Sequence, residues 1–266
     1  MALDTTPPIF FAFLRFAAAS LFILVVPRPA VPWPILLITG LLLGAGQYGF
    51  MFVAMTKGLP AGLASLLVHT QAFFTIGIAM LVFREPFRLR QGVAIAFAMA
   101  GLVLLALDRA EVGGLLGLGL ILLAALCGAA GNNFLKSLGQ VDMLGVSVWM
   151  SLAAPLPLLL LSMIIEAEGS VRGLIAGVTW VTVAAIAYSA ILATVLVFAI
   201  WGRLLATYPA TSVAPFFLLV PVFGIGLSAL LLGETLTSGQ IGGAVLVFIG
   251  LSIAIWPQRG RLATVR

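Results

Sequence analysis

Apolar residues along this chain form long continuous runs, and the polar residues collect in the short gaps between them. The runs lack the strict in–out alternation of membrane barrel strands. Crossing the hydrocarbon core takes about 20 helical residues at a rise of about 1.5 Å each. Nine runs of that kind lie near 8–26, 33–56, 60–83, 88–107, 114–138, 142–166, 174–204, 209–232 and 238–256. Only helices and closed barrels satisfy their own backbone hydrogen bonds in lipid. The pattern therefore predicts an all-α polytopic membrane protein, a helix bundle whose connections are too short for a soluble domain. The first run, "PPIFFAFLRFAAASLFILVV", lacks a basic leader, exceeds the apolar stretch of a signal peptide and holds Arg15 inside it. It reads as a span.

Composition agrees. Hydrophobic residues make up 63% of the 266, charged residues 8%, and mean hydropathy is +1.26. A soluble protein is nearer half apolar and about a quarter charged. The net charge of +5 is no nucleic-acid signal, because the basic residues sit between apolar runs without interleaved aromatics. The single cysteine, Cys127, has no internal disulfide partner and reads as a packing residue.

The basic residues do set sidedness. With alternating topology, Arg28, Arg84, Arg88, Arg90, Lys136, Arg203, Arg259, Arg261 and Arg266 fall on the face of the C-terminus. Only Lys57, Arg109 and Arg172 fall on the other, and Arg15 stays inside its span. The expected C-terminus is cytoplasmic, with Met1 outside.

An internal repeat is visible. "LPAGLAS" at 59–65 and "YPATSVA" at 208–214 align at an offset of 149, which also carries Glu85 onto Glu234, Gln91 onto Gln240 and Gly101 onto Gly250. The third span then maps to the eighth and the fourth to the ninth. A displacement of five spans, an odd number, inverts one half relative to the other, a recurring transporter architecture. The halves divide as 1–110 and 111–266. Span 114–138 opens the second half, and its partner would precede residue 1. The expectation is a further N-terminal span in the natural protein or its ancestor.

At "PPIFFAFLRF", "LPAGLASLLVHTQAFFTI", "GNNFLKSL", "IWGRLLATY" and "APFFLLVPVFGIGLSALLLGETLTSGQIGGAVLVFIGL" the chain resembles the drug/metabolite transporter superfamily, specifically the EamA-type amino-acid metabolite exporters. The order and spacing of all five stretches agree. The resemblance implies ten helices in two inverted five-helix halves, and export of amino acids or related metabolites from the bacterial cytoplasm. The related YddG branch, associated with aromatic amino acids, shares this fold. The family's first span, which usually carries a tryptophan, has no counterpart here.

Polar side chains at mid-span are costly in lipid and tend to face the bundle interior or a water-filled cavity. His69 and Gln71 lie about ten residues into the third run. They are roughly 200° apart around a helix, so they cannot face one cavity together. Either one contacts substrate, or His69 only bonds a neighbouring helix. A coupling proton on His69 is a third reading, since its reference pKa is near 6.5. Asn132 and Asn133 in "GAAGNNFLKS" offer donors and acceptors, either to an amino acid or as glue between helices. Lys136, nearer the span end, reads as a snorkelling anchor. Gln47 and Tyr48 sit among Gly44, Gly46 and Gly49, whose small size favours close helix approach. Trp149 and Tyr188 are weaker candidates for an aromatic wall. Pro215 and Pro221 within one span predict a broken helix whose freed carbonyls line the pathway. Glu85 and Glu234 fall on opposite sides of the membrane and read as structural anchors, not as a paired acid site.

The leading function is thus an inner-membrane secondary exporter of amino acids or related small metabolites, alternating access between its inverted repeats. Efflux of drugs or lipophilic cations would want a carboxylate at mid-span, and none is present. Sugar-phosphate transport would want several buried cations, and only Arg15 qualifies. An intramembrane enzyme would want a nucleophile–histidine pair, an HExxH helix or paired aspartates, and the sequence has none of them. No metal or cofactor is implied, and no phosphate-binding loop for ATP is present. The sequence leaves the oligomeric state open.

Overall fold

The structure is a computed structural model that describes residues 6–85, 89–107, 115–166, 174, 177–223, 226 and 237–255. Arg88, Arg109, Arg172, Glu234, Arg259, Arg261, Arg266 and the second part of the eighth run lie outside the described residues. Within them, each of the nine apolar runs forms a helix. We label these α1 (Pro8–Leu24), α2 (Trp33–Thr56), α3 (Ala61–Leu67, Val68–Thr70 and Gln71–Phe83), α4 (Leu89–Leu107), α5 (Leu115–Ser137), α6 (Met143–Ile165), α7 (Trp180–Thr207), α8 (Ala210–Phe223) and α9 (Ser238–Ile255). Five of them (α2, α3, α5, α6 and α7) are long and apolar enough to cross a membrane, and the other four are shorter apolar helices.

Proline sets four of the helix starts. Pro7, Pro32, Pro60 and Pro209 precede α1, α2, α3 and α8, with φ between −58° and −56° and ψ between 136° and 139°. The ring presets φ, but it offers no side-chain acceptor to the orphan N–H groups of the first turn. Distant carboxylates supply one for two of these helices. Glu166, at the end of α6, accepts from the backbone N–H of Ile9 (2.7 Å) and Phe10 (2.9 Å). Glu85, just past α3, accepts from Ala210 (3.0 Å) and Thr211 (3.2 Å). It also pairs with Lys136 of α5 at 2.7 Å, so that lysine is committed to an ion pair and is not simply snorkelling. Burial pushes the Glu85 carboxyl up, but the Lys136 ammonium and the two backbone donors outweigh it and hold the group below its usual value. The remaining start that shifts is α7. A Thr179–Thr182 capping box opens it at Trp180 instead of near 174, and it runs on to Thr207, just before Pro209.

Five helices depart from regular α geometry in their interior, α6 by a 3₁₀ turn at Ser151–Ala153. α2 and α7 contain π-helical stretches at Leu41–Gly46 and Ser189–Leu196. Adding the offset of 149 to the first gives 190–195, inside the second. α3 tightens to a 3₁₀ turn at Val68–Thr70, and α8 does so over Ala214–Leu218. In α8 the cause is Pro215, which lacks the N–H an α turn needs. Pro221 follows in the next helical turn.

α4 and α9 form the most extensive helix pair, and the contact is reciprocal. A Cβ built on Gly101 would stand 2.6 Å from the Gly243 carbonyl and 3.0 Å from the Val247 nitrogen. One on Gly250 would stand 2.6 Å from the Ala94 carbonyl and 2.9 Å from the Ala98 nitrogen. Positions 94, 98 and 101 plus 149 are 243, 247 and 250. Each helix therefore meets its partner through the same positions, as in a two-fold interface. α5 occupies the interior and packs on α2, α3 and α7.

Candidate functional site

Where α5 meets α2, α3 and α7, the interior is polar. Gln47 of α2 donates through Nε2 to Oε1 of Gln71 on α3 at 2.7 Å. Gly128 of α5 makes room for this pair, because a Cβ there would overlap Gln71 Oε1. One turn along α3, the Thr75 hydroxyl donates to the Gln71 carbonyl (2.7 Å) and accepts from Asn132 Nδ2 (3.2 Å). Asn132 Oδ1 accepts in turn from the indole N–H of Trp201 on α7 at 3.1 Å. A continuous chain, Gln47–Gln71–Thr75–Asn132–Trp201, thus links four helices. Gln71, Thr75 and Asn132 are almost fully buried.

Asn133 takes a different path. Its Nδ2 donates to the carbonyls of Thr75 (3.2 Å) and Ala129 (2.9 Å), while its buried Oδ1 has no hydrogen-bond partner. An unmatched buried acceptor costs about 1–3 kcal/mol, and a site for a donor is one reason to keep it. Asn133 borders a cleft of about 240 Å³ that is otherwise lined by residues such as Ile78, Phe83 and Phe134.

His69 points away from Gln71, as their spacing requires. Its Nδ1 lies 2.5 Å from the Ser65 carbonyl of its own helix. A carbonyl can only accept, so Nδ1 carries the hydrogen, and the bond is to α3 itself and not to a neighbouring helix. The ring lies 5.3 Å from the Phe217 ring of α8, which also meets Trp201 edge-on at 5.0 Å. Phe217 follows Pro215 in the 3₁₀ stretch, so the broken part of α8 places an aromatic ring between His69 and Trp201.

The other candidates fall elsewhere. Tyr48 packs with Phe16 (5.5 Å) and Phe52 (6.3 Å) on the α1 side of α2. Trp149 donates to the Val26 carbonyl at 3.1 Å and packs edge-on against Trp33, tying α6 to the α1–α2 connection. Tyr188 is 64% exposed on the outer surface of α7. A cavity of about 530 Å³ lies between the α5–α6 turn and the second half of α7, lined among others by Asp142, Leu196 and Arg203, and none of the candidates borders it. Sequence reasoning missed Thr75 and Trp201. Their signal was weak, because threonine and tryptophan are ordinary in apolar helices.

No group of three or more metal-ligating side chains occurs among the described residues. The groups present are amide donors and acceptors, a hydroxyl, an imidazole and an indole N–H, which can hydrogen-bond a small polar solute.

Comparison with known proteins gives a consistent picture. A model of the EamA-like transporter family matches residues 1–107 and 115–256. A "Probable amino-acid metabolite efflux pump" of Salmonella typhimurium is 39% identical over 98% of this chain and 90% of its own length. A protein of the same description from Escherichia coli K12 is 36% identical over 99% of this chain and 90% of its own. A solved crystal structure shares the fold, with a TM-score of 0.77 and 16% identity, covering 96% of this chain and 90% of that one.

Proposed function

The chain belongs to the EamA-like transporter family, and from that premise we propose that it exports amino acids or related small metabolites across the bacterial inner membrane. The observation that carries the reading is the buried amide–hydroxyl–indole chain from Gln47 to Trp201. Its donors and acceptors, gathered where four helices meet, support a site for a zwitterion, and the descriptions of the two enterobacterial relatives favour the same substrate class. The excess of positive charge on one face supports a cytoplasmic C-terminus.

Transport proceeds by alternating access between halves 1–110 and 111–266. The reciprocal glycine contact of α4 with α9 supports this division, as do the π stretches 149 residues apart. In this scheme α4 and α9 form the near-symmetric seam. The irregular turns of α3 and α8 bring His69 and Phe217 together across the halves. Rocking of one half against the other remakes these contacts on the opposite side.

The test uses intact cells loaded with dipeptides, whose hydrolysis raises internal amino-acid pools. Expression of the chain should speed appearance of at least one amino acid in the medium. Release no faster than from vector-only cells, across a full panel, would refute the proposal.

A further inference from the structure

Arg15 is the one cation near the middle of an apolar run, the others standing near run ends, and neither the polar chain nor the helix anchors use it. It lies at the middle of α1, seven residues after Pro8 and nine before Leu24. Its Nε donates to Thr194 Oγ1 at 2.6 Å and its Nη2 to the Ala193 carbonyl at 3.3 Å. Both partners sit midway along α7, inside the π stretch. Thr194 is itself fixed there by a 2.9 Å bond to the Ser189 carbonyl, five residues back. The guanidinium therefore does not snorkel to an interface. It is held at mid-depth, with its Cζ 4.7 Å from the centre of the Tyr48 ring and 5.4 Å from that of Phe16.

A cation in that place is costly without an anion. The described carboxylates are all engaged at helix ends: Glu85 with Lys136, Glu166 with the first turn of α1, and Asp142 with the Leu144 N–H. None bonds Arg15. Of the five N–H groups of a guanidinium, the two on the Nε–Nη2 edge are taken. Nη1 and the second N–H of Nη2 have no partner among the described residues. Nη1 is not sealed in either, since Asn133 Oδ1 is the one unpartnered side-chain polar atom that is fully buried among the described residues.

The geometry points to Arg15 as the group that binds the substrate's carboxylate. The open fork matches a carboxylate bidentately. Thr194 and Ala193 fix the plane of the guanidinium, and Tyr48 covers its face. Tyr48 adjoins Gln47 in sequence but points about 100° away around α2, so the anion site lies on the α1 side of that helix. The substrate class narrows to molecules with a free carboxylate, and amides of the same side chain are rejected. The inference rests on the exporter reading and deepens it.

The experiment is counterflow into proteoliposomes of the full chain with three matched pairs: L-alanine, L-leucine and L-phenylalanine, each against its amide. The wild type should carry at least one acid about 10- to 100-fold more efficiently than its amide, the range expected for losing a charge-assisted fork. Arg15→Gln should lower transport of the acid far more than that of the amide, and so remove most of that preference. Arg15→Lys should keep part of it, and Thr194→Val should raise KM for the acid more than it lowers kcat. Equal transport of acid and amide by the wild type overturns the carboxylate site and leaves the exporter standing. So does an equal loss of both in Arg15→Gln, which marks a structural clamp. Should Arg15→Gln not fold, the wild-type acid-to-amide ratio and Arg15→Lys decide alone. Failure of the wild type to move any of the six compounds removes the exporter reading and this site with it.

Discussion

Replacing Glu85 by Gln tests the long-range capping of α8. The carboxylate accepts from two first-turn N–H groups and from Lys136, and the paired side chains are only 9% and 14% exposed. A hydrogen bond to a charged group is worth about 1.5–3 kcal/mol. Removing one partner of a buried pair costs about 3–5 kcal/mol. Glutamine keeps one acceptor oxygen for Ala210 or Thr211, so a loss of about 2–3 kcal/mol is expected from these values. Equilibrium unfolding in mixed detergent–SDS micelles measures it. The pH dependence has a definite sign. The folded carboxyl titrates below its usual value of 4.5, so the native state binds fewer protons there than the unfolded chain. The stabilisation is fully present above that usual value and fades as pH falls through the lower, folded one. The difference between wild type and Glu85→Gln should be flat from about pH 8 to 5.5 and close below 4.5. A difference under about 0.5 kcal/mol, the size of an ordinary surface change, or one that widens on acidification, would refute the reasoning.

Three further outcomes follow from the geometry. Gly101→Leu and Gly250→Leu should each destabilise the fold, by similar amounts of about 1–3 kcal/mol in the same unfolding assay, because their new Cβ atoms meet equivalent backbone atoms of the partner helix; a large cost for one and none for the other contradicts the reciprocal seam. Gly128→Ala should drive a methyl into the Gln47–Gln71 pair and cut transport at least tenfold with little loss of helicity by circular dichroism; unchanged transport would remove that pair from the pathway. His69→Ala should slow downhill transport through the lost packing on Phe217 and leave the response to an imposed pH gradient intact; loss of that response with a normal downhill rate would make His69 the coupling group.

The spans were legible because lipid demands continuous apolar helices, and nothing else in the chain competes with that signal. The offset of 149 was legible from Glu85, Gln91 and Gly101 with their mates, and the π stretches and the α4–α9 contact recur at the same spacing. Position along a span singled out Gln47, Gln71 and Asn132 as polar residues away from water, but not that Thr75 and Trp201 join them into one chain. Those bonds cross from helix to helix, over sequence separations of 57 and 69 residues, and depend on the rotation of each helix about its axis. The same limit applies to Trp149, whose indole N–H found the Val26 carbonyl 123 residues away. Arg15 was visible as an oddity. Its meaning depended on seeing that Thr194 and Ala193 hold one edge of it and that no described residue holds the other.

The central claim is that a solute crosses through the polar junction of α2, α3, α5 and α7. Downhill efflux of a labelled L-amino acid from proteoliposomes, compared between wild type and Asn132→Ala, tests it most directly. Release by the wild type should stand well above that of protein-free liposomes, and Asn132→Ala should lower it at least tenfold while remaining folded. Wild-type release equal to that of protein-free liposomes, or full activity in Asn132→Ala, would contradict it.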